Sequence, residues 1–126
     1  MASGGASVRI LVVDDRLDMA EMIADDLRDR GYDGVAVSSG RDALLLLRSE
    51  RFDVLVTDLR MPEIDGLQLL RASRDLDPTR PVIVMTAFEA LESAMKTSEY
   101  GGCHYVTKPF RLDLLAQLVE RAIESR

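Results

Sequence analysis

A chain of 126 residues has room for one domain that buries about two thirds of its unfolded surface. Its 22 acidic residues against 16 basic ones leave a net charge of −6, which opposes unspecific attraction to nucleic acid or anionic lipid. Cys103 is the single cysteine, so no intrachain disulfide can form and a reducing compartment is expected. The opening residues carry neither the basic region nor the apolar stretch of a signal peptide, and no apolar run approaches the ~20 residues of a bilayer span. These features together predict a cytoplasmic protein without membrane contact. Residues 1–7 read as a flexible tail and residues 8–126 as one domain.

In chain order, Val8 to Val13 is a nearly unbroken β-branched and apolar run, the pattern of a strand buried on both faces. Ala20, Ile23, Ala24 and Leu27 then share one helical face. Gly31 punctuates the end of that helix, and a weaker strand fits Gly34 to Val37. Ser39 followed by Asp42 offers an N-cap for a second helix through the leucine run Leu44 to Leu47. A third strand fits Val54 to Val56, a third helix carries Leu67 and Leu70, and a fourth strand fits Val82 to Met85. A fourth helix is expected from Glu89 to Gly101-Gly102, a fifth strand at His104 to Thr107, and a fifth helix with Leu114, Leu115, Leu118, Ala122 and Ile123 on one face. The methionines read mainly as helical core residues. Five strands alternating with five helices predict an α/β fold, a doubly wound five-stranded parallel sheet in the order 2-1-3-4-5.

In such a sheet, ligands sit outside the carboxyl ends of the strands, at the switch point between the first and third. Asp14 and Asp15 end the first strand and Asp58 the third, while Thr86 closes the fourth and Lys108 follows the fifth. Two carboxylates ~4 Å apart repel by about 4 kcal/mol at an effective dielectric of ~20, so three of them call for a cation. Oxygen-only ligands with room for water and phosphate suit Mg2+. The set reads as a magnesium-dependent acceptor for a phosphoryl group.

The acidic pair Asp14-Asp15, the stretch Asp58-Leu-Arg-Met-Pro-Glu-Ile-Asp-Gly66, Thr86-Ala87 and Lys108-Pro109-Phe110, in that order, resemble a response-regulator receiver domain of two-component signalling. Val84 to Phe88 and Tyr105 to Phe110 are most similar to receivers of sigma-54-dependent, nitrogen-regulatory-type transcription activators. The resemblance implies a flavodoxin-like fold and a phosphoacceptor nucleophile at Asp58, with Lys108 and Thr86 assisting. It implies Mg2+ held by Asp15, Asp58 and the Arg60 backbone carbonyl, with Asp14 acting through water. A cis Lys108–Pro109 bond and a switch formed by Thr86 and Tyr105 are further expectations. Implied partners are a sensor histidine kinase or phosphotransfer protein and an output domain or effector, with a possible homodimer through the fourth helix, fifth strand and fifth helix. Arg60 and Phe88 flank the approach of an attacking water and are expected to set the lifetime of the phosphorylated state.

Blander readings compete residue by residue. An Asp-Asp pair after a strand is commonly a turn or helix cap, Thr86 alone would be a strand residue, and Lys108 alone a solvated charge. His104 has no second ligand at sensible spacing. A flavin-binding module would need an anion-accepting loop where Asp14-Asp15 stands. A haloacid-dehalogenase-like phosphatase would need an acid two residues after Asp58, where the chain has Arg60. A stand-alone receiver acting through protein contacts is the alternative within the same family. The reading is of a signalling module that catalyses its own phosphorylation and slow dephosphorylation rather than an enzyme acting on other substrates.

Overall fold

The β-branched runs form five strands in the computed structural model, which describes residues 7–87 and 103–125. They are β1 (Arg9–Val13), β2 (Asp33–Val37), β3 (Val54–Asp58), β4 (Val82–Thr86) and β5 (His104–Thr107). All four pairings are parallel, in the order β2-β1-β3-β4-β5. The doubly wound sheet expected from the alternation is therefore present. Parallel neighbours require crossovers, and the described ones are α1 (Leu17–Asp29), α2 (Gly40–Ser49) and α3 (Gly66–Leu76). The helix after β5 is α4 (Leu112–Glu124). The helix expected from Glu89 and the tail, except Ser7, lie outside the described residues. Among the described residues no helix is long and apolar enough to cross a membrane.

Alternate strand residues build two cores. Leu11, Val13, Leu55, Val82 and Val84 pack with Ala43 and Leu47 of α2 and Leu69 and Leu70 of α3. Ile10, Val12, Val54, Val56, Ile83, Met85 and Val106 pack on the other face with Ala20, Ile23, Ala24 and Leu27 of α1 and Leu115 and Val119 of α4. Fully buried side chains of this size contribute about 1.5–3 kcal/mol each. The helices bury their apolar residues selectively. Leu114 and Leu45 lie exposed, because α4 turns Leu115, Ala116, Val119 and Ala122 inward and α2 buries only Ala43 and Leu47 of its apolar residues. Met22 is also exposed rather than core.

The amino-terminal edge of the sheet is tied by polar contacts. Arg9 donates to Asp33 and Glu50 at 3.0 Å each and stacks on Phe52, 4.5 Å from the ring centre. Its backbone N–H donates to Asp53 at 2.8 Å. Nearby, the buried Arg80 guanidinium donates to the Phe52 carbonyl at 3.0 Å and to the Ser73 hydroxyl at 2.9 Å.

Candidate functional site

Strand register assembles the opposite edge. Val13 pairs with Thr57, Asp58 with Met85, and Thr86 with Thr107. Asp14, Asp58, Thr86 and Lys108 therefore stand within one residue of a common line across β1, β3, β4 and β5. The Lys108 N–H donates to the Thr86 carbonyl at 2.7 Å, extending that pairing by one step, and the Lys108–Pro109 bond is cis.

The carboxylates converge. One oxygen from each of Asp14, Asp15 and Asp58 lies within 4.8 Å of the other two. Asp14 is fully buried and Asp15 exposed. The Lys108 Nζ reaches Asp14 Oδ2 at 2.8 Å and Asp58 Oδ2 at 3.3 Å. Asp14 Oδ1 also accepts the Arg16 N–H at 3.0 Å, so the turn-forming role and the site role coexist in one side chain.

Electrostatics follow from this crowding. Burial holds the Asp58 carboxyl above the usual carboxylate range, and the charges of Asp14 and Asp15 push the same way against the pull of Lys108. Burial alone would lower the affinity of the Lys108 ammonium for its proton. Its bond to Asp14 and the charges of Asp58 and Asp14 outweigh that and place it above the ordinary lysine value. One ammonium against three carboxylates leaves excess negative charge in hard oxygen donors, which fits a small divalent cation. This Asp-rich cluster is the type of donor set that holds Mg2+ in receiver domains.

The loop after Asp58 folds back on the strand end. The Gly66 N–H donates to the Leu59 carbonyl at 2.8 Å, and a Cβ on Gly66 would stand 2.4 Å from the Asp58 carbonyl oxygen. Asp65 accepts from the Gln68 N–H, and the Gln68 side chain accepts the Asp65 N–H, each at 2.9 Å, a capping box that starts α3. Within the loop Arg60 is exposed. Thr86 is buried, its hydroxyl donating to the Ala87 carbonyl at 3.4 Å. Tyr105 is half-buried against the core beneath α2 and α3. Phe88 lies outside the described residues. Beside Lys108, Met19, Met22, Pro109, Phe110 and Leu112 line a mostly apolar groove of about 300 Å³.

Comparison with known proteins agrees with this geometry. The chain belongs to the response regulator receiver domain family, whose profile matches residues 10–120. It is 36% identical over 116 residues to the transcriptional regulatory protein ZraR of Salmonella typhimurium, covering 92% of this chain and 26% of the relative. It is 39% identical over 114 residues to the DNA-binding transcriptional regulator NtrC of Proteus hauseri, covering 90% of this chain and 24% of the relative. The chain thus spans about a quarter of the length of these relatives, and the expected kinship with the nitrogen-regulatory type holds. A response regulator receiver protein from Sinorhizobium medicae superposes with a TM-score of 0.85 at 31% identity, covering 94% of this chain and 96% of that one.

The structure brings Asp14, Asp15, Asp58 and Lys108 together and sets Thr86 at the same sheet edge, and it shows a close approach at Gly40 that sequence reading did not single out. A Cβ there would stand 2.2 Å from the Ile64 carbonyl oxygen. The available signal was a glycine directly after the Ser39 cap, where a helix start demands no glycine.

Proposed function

We propose that residues 8–126 form a receiver in which Asp58 accepts a phosphoryl group from a sensor histidine kinase or phosphotransfer protein and switches the surface presented to an output. The observation that carries this reading is the convergence of Asp14, Asp15 and Asp58 on Lys108. An Asp58 carboxylate oxygen would form the new P–O bond as the donor's P–N bond breaks, and the departing imidazole would keep the electron pair and take up a proton. An ionised carboxylate needs no general base for this attack. Lys108, 3.3 Å from Asp58, stands where charge on the transferred oxygens can be neutralised. Asp15, Asp58 and the Arg60 carbonyl would hold Mg2+, with Asp14 acting through water. Bound there, the metal would supply charge neutralisation. The apolar groove beside Lys108 supports a protein donor, because it offers apolar contact area next to the reacting carboxylate.

Acetyl phosphate with Mg2+ is expected to add one labile phosphoryl group to Asp58, read by intact-mass spectrometry and abolished by EDTA. An undiminished adduct on Asp58→Asn would sink the assignment.

The switch would pass from Thr86 to Tyr105 and on to the surface from Glu89 to Arg126, which is also the proposed homodimer face. Thr86→Ala should still accept the phosphoryl group, but backbone NMR shifts at residues 103–125 on adding beryllofluoride should shrink; shifts equal to wild type would exclude the coupling. Arg60 and Phe88 would shield the acyl phosphate from water, a role lost if decay is no faster in Arg60→Asn or Phe88→Ala. The relatives' names and their greater length support transcription as the output.

A further inference from the structure

Helix α2 contributes no side chain to the site, yet its first residue bears directly on the loop that follows the acceptor. A Cβ at Gly40 would lie 2.2 Å from the Ile64 carbonyl oxygen and 2.8 Å from the Ile64 Cβ. Two more features mark the same loop. Arg41 pairs with Glu63 at 3.3 Å across exposed side chains, and Glu63 adopts a left-handed backbone, φ 65°, a conformation non-glycine residues hold only when their surroundings impose it. On the far side the loop closes on Gly66, which abuts the Asp58 carbonyl. Residues 59–65 are therefore wedged between the starts of two helices. The α2 start is itself fixed, because Ser39 accepts the Asp42 N–H at 3.1 Å and Ala43 and Leu47 are buried beneath it.

We infer that Gly40 is a positioning residue for phosphoryl acceptance: its missing side chain lets α2 seat Ile64 and so fixes the loop that presents the Arg60 carbonyl beside Asp58. The contact is made to backbone, which cannot rotate away as a side-chain tip can, so any Cβ at position 40 displaces either the loop or the helix start. The loop is the easier to move. It is exposed at Pro62 and Glu63, and Met61 and Ile64 are only partly buried against the core, whereas α2 buries Ala43 and Leu47 in it. A displacement of about 1 Å at a metal-holding carbonyl is enough to cost roughly 100-fold in rate. This role rests on the reading of Asp58 as acceptor and adds that its competence is set from a helix outside the carboxylate cluster.

The test compares Gly40→Ala with Leu47→Ala, a core change about two turns further along the same helix. Three quantities are read: thermal midpoint without metal, Mg2+ affinity from titration of backbone NMR shifts, and the rate of adduct formation with acetyl phosphate. Gly40→Ala is expected to weaken Mg2+ binding by about ten-fold and slow phosphorylation by about ten-fold or more. Leu47→Ala, with an equal or larger loss of thermal midpoint, should keep both within about two-fold. If Gly40→Ala does not fold, Ile64→Gly makes the test from the loop side. It frees the backbone at the contact and should weaken both properties, whereas Ile64→Ala, which keeps the Cβ against Gly40, should not. Mg2+ affinity and rate within two-fold of wild type in Gly40→Ala, or Ile64→Gly matching Ile64→Ala, would overturn the inference. Absence of an Asp58 adduct in wild type would instead remove the acceptor reading on which it rests.

Discussion

The two ends of the sheet handle the same ingredients in opposite ways. At the amino-terminal edge, Asp33, Glu50 and Asp53 are spread around Arg9, each with its own donor on that residue. The first two keep 49% and 43% of their side-chain surface in solvent. At the carboxyl edge, Asp14, Asp15 and Asp58 face one another across a shared space, with Asp14 and Asp58 only 1% and 13% exposed. Each edge sets three carboxylates about one cation of the chain, but at the amino-terminal edge they are spread apart and two of them are partly solvated. At the carboxyl edge the same excess of negative charge is crowded and largely buried beside Lys108, and that crowding makes the edge a place for a metal and an incoming phosphoryl group. Strain of this kind is tolerated because both cores and the amino-terminal edge carry the stability.

Substitutions at each end should therefore behave oppositely. The largest effect is expected at Asp58: Asp58→Asn should stabilise the metal-free protein, by on the order of 1–2 kcal/mol after the loss of the Lys108 contact is set against the relieved repulsion. A lower thermal midpoint than wild type in EDTA would contradict this. Arg9→Ala should do the reverse. Losing its stacking on Phe52 and its partly exposed ion pairs should cost about 1–2 kcal/mol in chemical denaturation, with Mg2+ affinity unchanged within about two-fold. A large loss of Mg2+ affinity in Arg9→Ala would show that the two edges are coupled after all.

The smallest effects are those of pH on the metal-free protein. Because the folded Asp58 carboxyl sits above its unfolded value, the folded state binds the proton more tightly. Stability attributable to this group therefore rises as pH falls through the folded value, while Mg2+ affinity falls over the same window. For Lys108, raised above 10.5, the contribution is complete below the unfolded value and is lost as pH rises through the folded one. Denaturation midpoints of wild type and Asp58→Asn across mildly acidic pH check the first sign: their difference should narrow as pH falls, and a widening gap would reverse it.

What the sequence disclosed and what it hid follow from the range of the forces involved. Val8 to Val13 and Val82 to Met85 declare buried strands through local composition, and the polar residue at each strand's end declares the site, because a parallel sheet brings all carboxyl ends to one edge. Ser39 and Asp42 likewise announced a cap that forms. Gly40 against Ile64, Arg9 on Phe52 and Arg80 against Ser73 were not legible. Each joins residues more than six apart whose types are ordinary where they stand, so only packing of complete elements reveals them. The exposed Leu114 and Leu45 show the same limit within helices, where a dense leucine run does not say which residues face inward.

The most direct test of the contrast between the edges is the thermal midpoint of wild type, Arg9→Ala and Asp58→Asn, each measured in EDTA and in Mg2+ at about 100 times its dissociation constant for wild type. Binding at that excess stabilises by about 2.7 kcal/mol, on the order of 10 °C for a domain of this size. Wild type and Arg9→Ala should rise by the same increment from different starting points, and Asp58→Asn should start higher and gain far less. A wild-type midpoint indifferent to Mg2+, or an increment in Asp58→Asn equal to that of wild type, would contradict the account of the carboxyl edge as a site built around crowded negative charge.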